Sequence, residues 1–258
     1  MKTWIRGVVG FACLIPLVNA AIIVTPSYTA RGDSDPGGVA FNYIDITGTG
    51  SLLFPASDDL IVPVNMGAAF TFYGETATQA IVSSNGVITF TVGSNEFLNS
   101  ALPANAFSYR TLFPYWDDLL TSAYYQFFAG GVGPFAGPTS VIQWIGGYCD
   151  NQLTGCSSAG TVSFEALLDH ATGSILYQYA SSLCPPGDCL SNHDFGASAT
   201  VGIQGVGANL SEALQWSFNS PVIADNSTVL FTPTPEPSSW LLLSLGLGAF
   251  GLRRRLRG

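Results

Sequence analysis

Apolar residues fall in short β-branched and aromatic runs, broken by Gly, Asn, Asp, Pro and Ser, and no interior stretch keeps the i, i+3, i+4 spacing of an amphipathic helix. The runs predict strands at 21–24, 41–46, 60–64, 69–72, 79–82, 87–92, 123–127, 140–145, 161–168, 174–179, 200–205, 213–218 and 228–231. Alternation is clearest in Val162-Ser163-Phe164-Glu165-Ala166 and Ile175-Leu176-Tyr177-Gln178-Tyr179, where two faces of different polarity indicate half-buried strands. Turn chemistry predicts hairpins between them. Ser84-Asn85-Gly86 offers the Asn-Gly pair of a type I′ turn, and Ala171-Thr172-Gly173 links 161–168 to 174–179. Strands at this spacing, without helices between them, predict an all-β fold: an antiparallel β-sandwich or jelly roll.

The two ends follow other rules. Lys2 and Arg6 precede an apolar run from Gly7 to Val18 that ends in Val18-Asn19-Ala20, the layout of a secretory signal helix cut after Ala20. Cys13 leaves with it. At the other end Pro235-Glu236-Pro237 is followed by the apolar run 240–252 and by Arg253, Arg254, Arg255 and Arg257. The stretch 238–252 would span roughly 22 Å as a helix, short of the ~30 Å of a bilayer core. That length argues for a transient transmembrane helix rather than a comfortable permanent anchor, although arginines snorkelling to the interface on the cytoplasmic side would extend its reach. Gly246, Gly248 and Gly251 mimic a dinucleotide fingerprint, but the chain ends seven residues later with no strand–helix context.

This tail resembles the PEP-CTERM sorting signal (235–258), which implies recognition by an exosortase after passage through the secretion machinery. A second resemblance covers roughly 60–218. It is carried by Phe70-Thr71-Phe72-Tyr73-Gly74, Ser83-Ser84-Asn85-Gly86-Val87-Ile88-Thr89-Phe90 and Phe113-Pro114-Tyr115-Trp116-Asp117-Asp118-Leu119, followed by Val141-Ile142-Gln143-Trp144 and Val201-Gly202-Ile203-Gln204. The series is similar to β-domains of bacterial secreted proteins and to the nidogen-type extracellular domain. The resemblance implies an antiparallel sandwich used for adhesion or matrix contact, with no catalytic set to carry over. The expected organisation is a signal peptide (1–20), a lead-in β region (21–59), the sandwich (60–232), a linker with the PEP motif (233–237) and the hydrophobic, Arg-rich tail (238–258).

Charge narrows the partners. Of eight Lys and Arg residues only Arg31 and Arg110 lie within 21–252, against all seventeen Asp and Glu, so the body carries about −15. No basic patch exists to neutralise phosphates, and nucleic acid is excluded as a partner.

Four cysteines remain after the leader: Cys149, Cys156, Cys184 and Cys189. In an exported chain an even count implies disulfides, here with three possible connectivities. Spacing suggests the local pairs Cys149–Cys156 and Cys184–Cys189. Cys149-x₆-Cys156 is too wide for a zinc site of the usual spacing.

Acidic pairs are the remaining chemistry. Asp117-Asp118 would ligate calcium or act as acid and base only if a bend brings both to one side; otherwise one caps the turn and the other is solvated. Asp33-Ser34-Asp35-Pro36-Gly37-Gly38 has the alternation of a calcium loop without its later ligands. Asp58-Asp59 reads as a turn. His170 and His193, the only histidines, read as loop surface residues, and no G-x-S-x-G or H-E-x-x-H occurs. No resident cofactor is expected, calcium being the one candidate. The consecutive Tyr124-Tyr125 and Phe127-Phe128 turn one ring of each pair outward on a regular strand, as a carbohydrate-binding face would. The expectation is a secreted or surface-displayed, non-enzymatic sandwich with a structural or adhesive role in the envelope or biofilm matrix. Its rivals are a carbohydrate-binding module contacting extracellular polysaccharide, and a secreted hydrolase built on Asp117, Asp118 and a histidine.

Overall fold

The computed structural model describes residues 22–149, 158–184, 189, 192–205 and 212–234. The expected signal helix, the tail from Pro235 onward and Cys156 lie outside them. Among the described residues fourteen strands form two antiparallel sheets stacked as a sandwich. The larger runs, in spatial order, β1 (Ile23–Val24), β2 (Tyr28–Gly32), β14 (Ser227–Pro233), β11 (Ile175–Leu183), β10 (Ser158–Asp169), β9 (Thr139–Cys149), β8 (Leu119–Phe128) and β3 (Ser51–Ser57). The smaller runs β13 (Ala213–Phe218), β12 (Thr200–Gln204), β7 (Thr111–Trp116), β6 (Ile88–Thr89), β5 (Glu75–Ser83) and β4 (Ile61–Phe72). Among these residues no helix is long and apolar enough to cross a membrane.

Most predicted strands are present, and the departures have local causes. The runs at 60–64 and 69–72 are one strand, β4, whose pairing with β5 slips between Asn65 and Phe70. Strand β7 escapes the strand pattern because Pro114 sits in its middle; the proline is tolerated where the β7–β12 register shifts. The 84–87 turn is not type I′. Gly86 is at φ 67° but Asn85 is not at positive φ, and the fully buried Asn85 carboxamide brackets three segments instead. Its Nδ2 donates to Asp59 Oδ1 (2.8 Å) and to the Asn95 carbonyl (3.2 Å), and its Oδ1 accepts from the Leu119 amide (3.2 Å).

The core between the sheets is aromatic: Trp144 stacks on Phe164 (4.9 Å), and Phe164 on Tyr115 (5.4 Å). Three of the buried polar tips bond to the opposite sheet. Trp144 Nε1 donates to the Ser83 carbonyl (2.8 Å), Tyr179 Oη to Pro114 (2.8 Å) and Tyr177 Oη to Gly202 (3.1 Å). Each such bond contributes about 1 kcal/mol and fixes how the two sheets stack.

The predicted strand at 41–46 is instead an extended strap lying across the outer face of the larger sheet. Its alternate amides are met by side chains from three neighbouring strands: Asn42 N–H by Gln178 Oε1 (2.8 Å), Ile44 N–H by Glu165 Oε1 (2.9 Å) and Ile46 N–H by Gln143 Oε1 (2.8 Å). Ile44, Ile46 and Val39 close a second apolar cluster over Val141, Leu167 and Leu176. Glu165, on the face that alternation alone would leave half wet, is therefore fully buried. That burial pushes its carboxyl up to about 8.

Candidate functional site

The densest chemistry gathers where the β7–β8 turn meets the β3–β4 and β5–β6 turns and the loop before β12. Strand β7 buries Trp116, whose indole N–H donates to the Glu96 carbonyl (2.9 Å), and this pins the turn that carries Asp117 and Asp118. Asp117 Oδ1 accepts the Asp118 amide (2.9 Å), while Oδ2 accepts the hydroxyl of Ser198, 81 positions away. The same Ser198 Oγ lies 2.5 Å from His193 Nδ1, and His193 Nδ1 lies 3.6 Å from Asp117 Oδ2. The imidazole stacks on Tyr148 (ring centroids 4.5 Å), and Tyr148 Oη is 2.6 Å from Tyr115 Oη in the core.

The order of these groups decides what they can do. A serine hydroxyl has one proton, and here it goes to Asp117; Ser198 then accepts from His193 Nδ1–H. In a hydrolytic triad the imidazole stands between carboxylate and hydroxyl and takes the hydroxyl proton. Here the hydroxyl stands between the other two. The arrangement latches the 192–198 loop onto the β7–β8 turn. Asp194 Oδ1 caps the Cys184 amide (2.8 Å) on the same loop, and Cys184 is disulfide-bonded to Cys189 with Cα atoms 5.8 Å apart.

Asp118 is not a solvated turn residue. It is half-buried, and burial, followed by the charges of Asp58, Asp59 and Asp117, pushes its carboxyl up to about 7. Asp58, Asp118 and Cys149 place one ligand atom each within 4.8 Å of one another. The Cys149 sulfur is already in a disulfide, which leaves two carboxylates where calcium takes six to eight oxygens. Asp33 and Asp35 join no such group among the described residues. Asp35 Oδ2 accepts the Gly32 amide (2.7 Å) and Asp33 Oδ1 the Ser34 amide (2.8 Å), so both carboxylates close their own turn.

His170 lies elsewhere, half-buried, with Nε2 2.8 Å from Ser140 Oγ and its ring edge-on to Phe70 and Phe127. Burial holds its pKa below the usual histidine range. Neither histidine is the loop surface residue that the sequence suggests. The β8 aromatics form no exposed row: Tyr124 and Phe128 pack under the outer cluster, and Tyr125 packs on the main core. Both arginines among the described residues are structural as well. Arg110 is buried against Glu75 (3.1 Å), and Arg31 Nη1 donates to Thr232 Oγ1 (3.1 Å). Pro235, Glu236, Pro237, Arg253, Arg254, Arg255 and Cys156 lie outside the described residues.

Comparison with known families gives two matches. The NIDO-related profile matches residues 37–237, and the PEP-CTERM protein-sorting motif matches residues 233–255. No curated protein matches, and no solved structure does. The first match begins ahead of the 60–218 stretch and takes in the strap and β3. The second carries export, cell-surface sorting and processing by an exosortase.

Proposed function

The chain belongs to the NIDO-related family, and from that premise, with the sorting motif behind the domain, we propose a secreted or surface-displayed, non-enzymatic β-sandwich with a structural or adhesive role in the envelope or biofilm matrix. The observation that carries this is the direct succession of one extracellular-type domain and a sorting tail, residues 37–237 and 233–255. The non-enzymatic part is supported by the order Asp117–Ser198–His193, in which the hydroxyl proton is already committed to the carboxylate. The membrane contact of the tail lasts only until processing, after which the acidic domain acts outside the cell.

Intact mass of the protein recovered from the extracellular fraction tests the route. Loss of residues 1–20 and of the segment beyond the PEP triplet is expected. A mass that retains the Arg cluster would make the protein a membrane-anchored one and defeat the sorting reading. Biofilm mass of a strain lacking the chain tests the role, with a reduction expected.

A hydrolase reading is favoured by one observation, the 3.6 Å approach of His193 to Asp117. If it holds, a panel of ester and glycoside substrates will show turnover that Asp117→Asn abolishes.

A further inference from the structure

At the opposite end of β4 from Asp59, the β1–β2 turn, the β4–β5 hairpin tip, the β10–β11 turn, Glu212 ahead of β13 and the last residues of β14 enclose a pocket of about 340 Å³. That is the small end of the range for small-molecule sites, room for one ring-sized ligand. Its wall combines the rings of Tyr28 and Tyr73, the hydroxyls of Thr71 and Thr172, and the Glu212 carboxylate. Among the described residues no Lys, Arg or His lines it, and the domain around it is strongly acidic. Such a wall disfavours anions and suits a molecule with an apolar face and many hydroxyls.

Tyr73 is the telling residue. It sits at φ 48°, followed by Gly74 at φ 75°, the two left-handed positions of a two-residue hairpin turn. That place favours Asn or Gly and penalises a bulky side chain. Packing accounts for the ring, which lies 4.6 Å from Phe72 and 4.9 Å from Tyr28. It does not account for the hydroxyl. Tyr73 Oη is buried with no hydrogen-bond partner in the protein, and burial keeps the phenol protonated and a donor. Phenylalanine would pack as well without an orphaned donor.

We propose that this pocket binds a single neutral or amino hexose unit of a polysaccharide. The apolar face of the sugar lies against the tyrosines, its hydroxyls or ammonium donate to Glu212 and Thr71, and Tyr73 donates to a sugar oxygen. This rests on the adhesive reading above and names what is adhered to. It is tested by binding alone, so a failure of export and a failure of this pocket register in different assays.

The intact exported protein is titrated with glucose, galactose, glucosamine and N-acetylglucosamine by NMR or calorimetry, with glucuronate as the anionic control. Saturable binding in the millimolar range is expected, as suits a ligand of about a dozen heavy atoms at ordinary efficiency. Glucuronate should bind about tenfold more weakly beside Glu212. Tyr73→Phe should weaken binding about fivefold, the worth of one hydrogen bond. Tyr73→Asn suits the left-handed backbone but gives up the ring's contacts with Phe72 and Tyr28, so it should still melt cooperatively, at a somewhat lower temperature, while abolishing saturation. No saturable signal from any of the four sugars overturns the proposal, as does binding that survives Tyr73→Asn or fails to distinguish glucuronate from glucose.

Discussion

Replacing Glu165 by Gln isolates one buried carboxyl under one strap. In the native protein Glu165 Oε1 accepts from Ile44 N–H (2.9 Å) and Gln178 Nε2 (2.7 Å), while Oε2 is buried without a partner. Desolvation dominates and lifts its pKa from 4.5 to about 8; the bonds from Ile44 and Gln178 oppose this, and Asp45 on the strap adds a little in the same direction as burial. The folded state therefore holds a proton between about pH 4.5 and 8 that the unfolded chain has lost. Stability contributed at Glu165 is full below pH 4.5, falls as pH rises through that window, and is flat above it. At about 1.4 kcal/mol per pH unit the loss reaches about 5 kcal/mol, an upper bound because strap opening can rehydrate the carboxylate.

Gln cannot titrate. Glu165→Gln should therefore match the wild type near pH 4.5 and exceed it by several kcal/mol at pH 8.5, read as a difference in urea midpoints across a pH series. Local readout comes from amide exchange at Asn42, Ile44 and Ile46. Their protection relative to core amides should fall above pH 8 in the wild type and stay constant in the variant. A midpoint difference that does not grow from pH 5 to 8.5 would refute the assignment of a buried, neutral Glu165 beneath the strap.

Four further outcomes follow from the other end of the sandwich. Ser198→Ala leaves Asp117 Oδ2 and His193 Nδ1 without their shared hydroxyl and should cost about 1–3 kcal/mol, measured by thermal or urea unfolding; an unchanged midpoint would dissolve the latch. Asp118→Asn removes a half-buried carboxyl raised to about 7, so stability should rise by about 1 kcal/mol at pH 8, allowing for solvent screening, and change little at pH 4. Melting curves in a chelator and in millimolar calcium should coincide, because of that group among the described residues only the Asp58 and Asp118 carboxylates are left to ligate; a shift of several degrees would restore a cation site. Gly86→Ala should cost more than about 2 kcal/mol, since Gly86 is at φ 67° and a Cβ would meet the Tyr115 carbonyl oxygen at 2.0 Å.

What could be read from the chain was whatever short-range pattern decides. Strands β10 and β11 and the turn between them follow from alternation plus Gly173, which sits at φ 76° as the turn requires. The strap defeats the same logic. Phe41-Asn42-Tyr43-Ile44-Asp45-Ile46 alternates like a strand, and only the tertiary fold decides that its amides go to Gln143, Glu165 and Gln178 rather than to a neighbouring backbone. Glu165 then changes from a wet-face residue to a buried one because of a segment more than a hundred positions away. The site behaved similarly. Asp117, Asp118 and His193 stand out as titratable residues, but nothing local marks Ser198, whose partner is 81 positions upstream. Asn85 is misread for the opposite reason: Asn-Gly is a strong hairpin signal, and the protein uses the side chain instead as a buried bracket between turns.

The position of the last strand bears on how a sorted domain can carry load. Strand β14 is not at an edge: it lies between β2 and β11, paired with β2 from Val229 to Pro233 and with β11 from Ser227 to Phe231. The sorting match begins at residue 233, so the tail leaves directly from this interior strand. Tension on a tail joined to the envelope would run along β14 and load both ladders together, rather than peeling one bond at a time from an edge. The inward-facing Val229 and Phe231 lie in the main core, where Phe231 packs on Tyr177 (5.1 Å), so slippage would also expose apolar area. The edge strands β1, two residues long, and β3 carry no such duty.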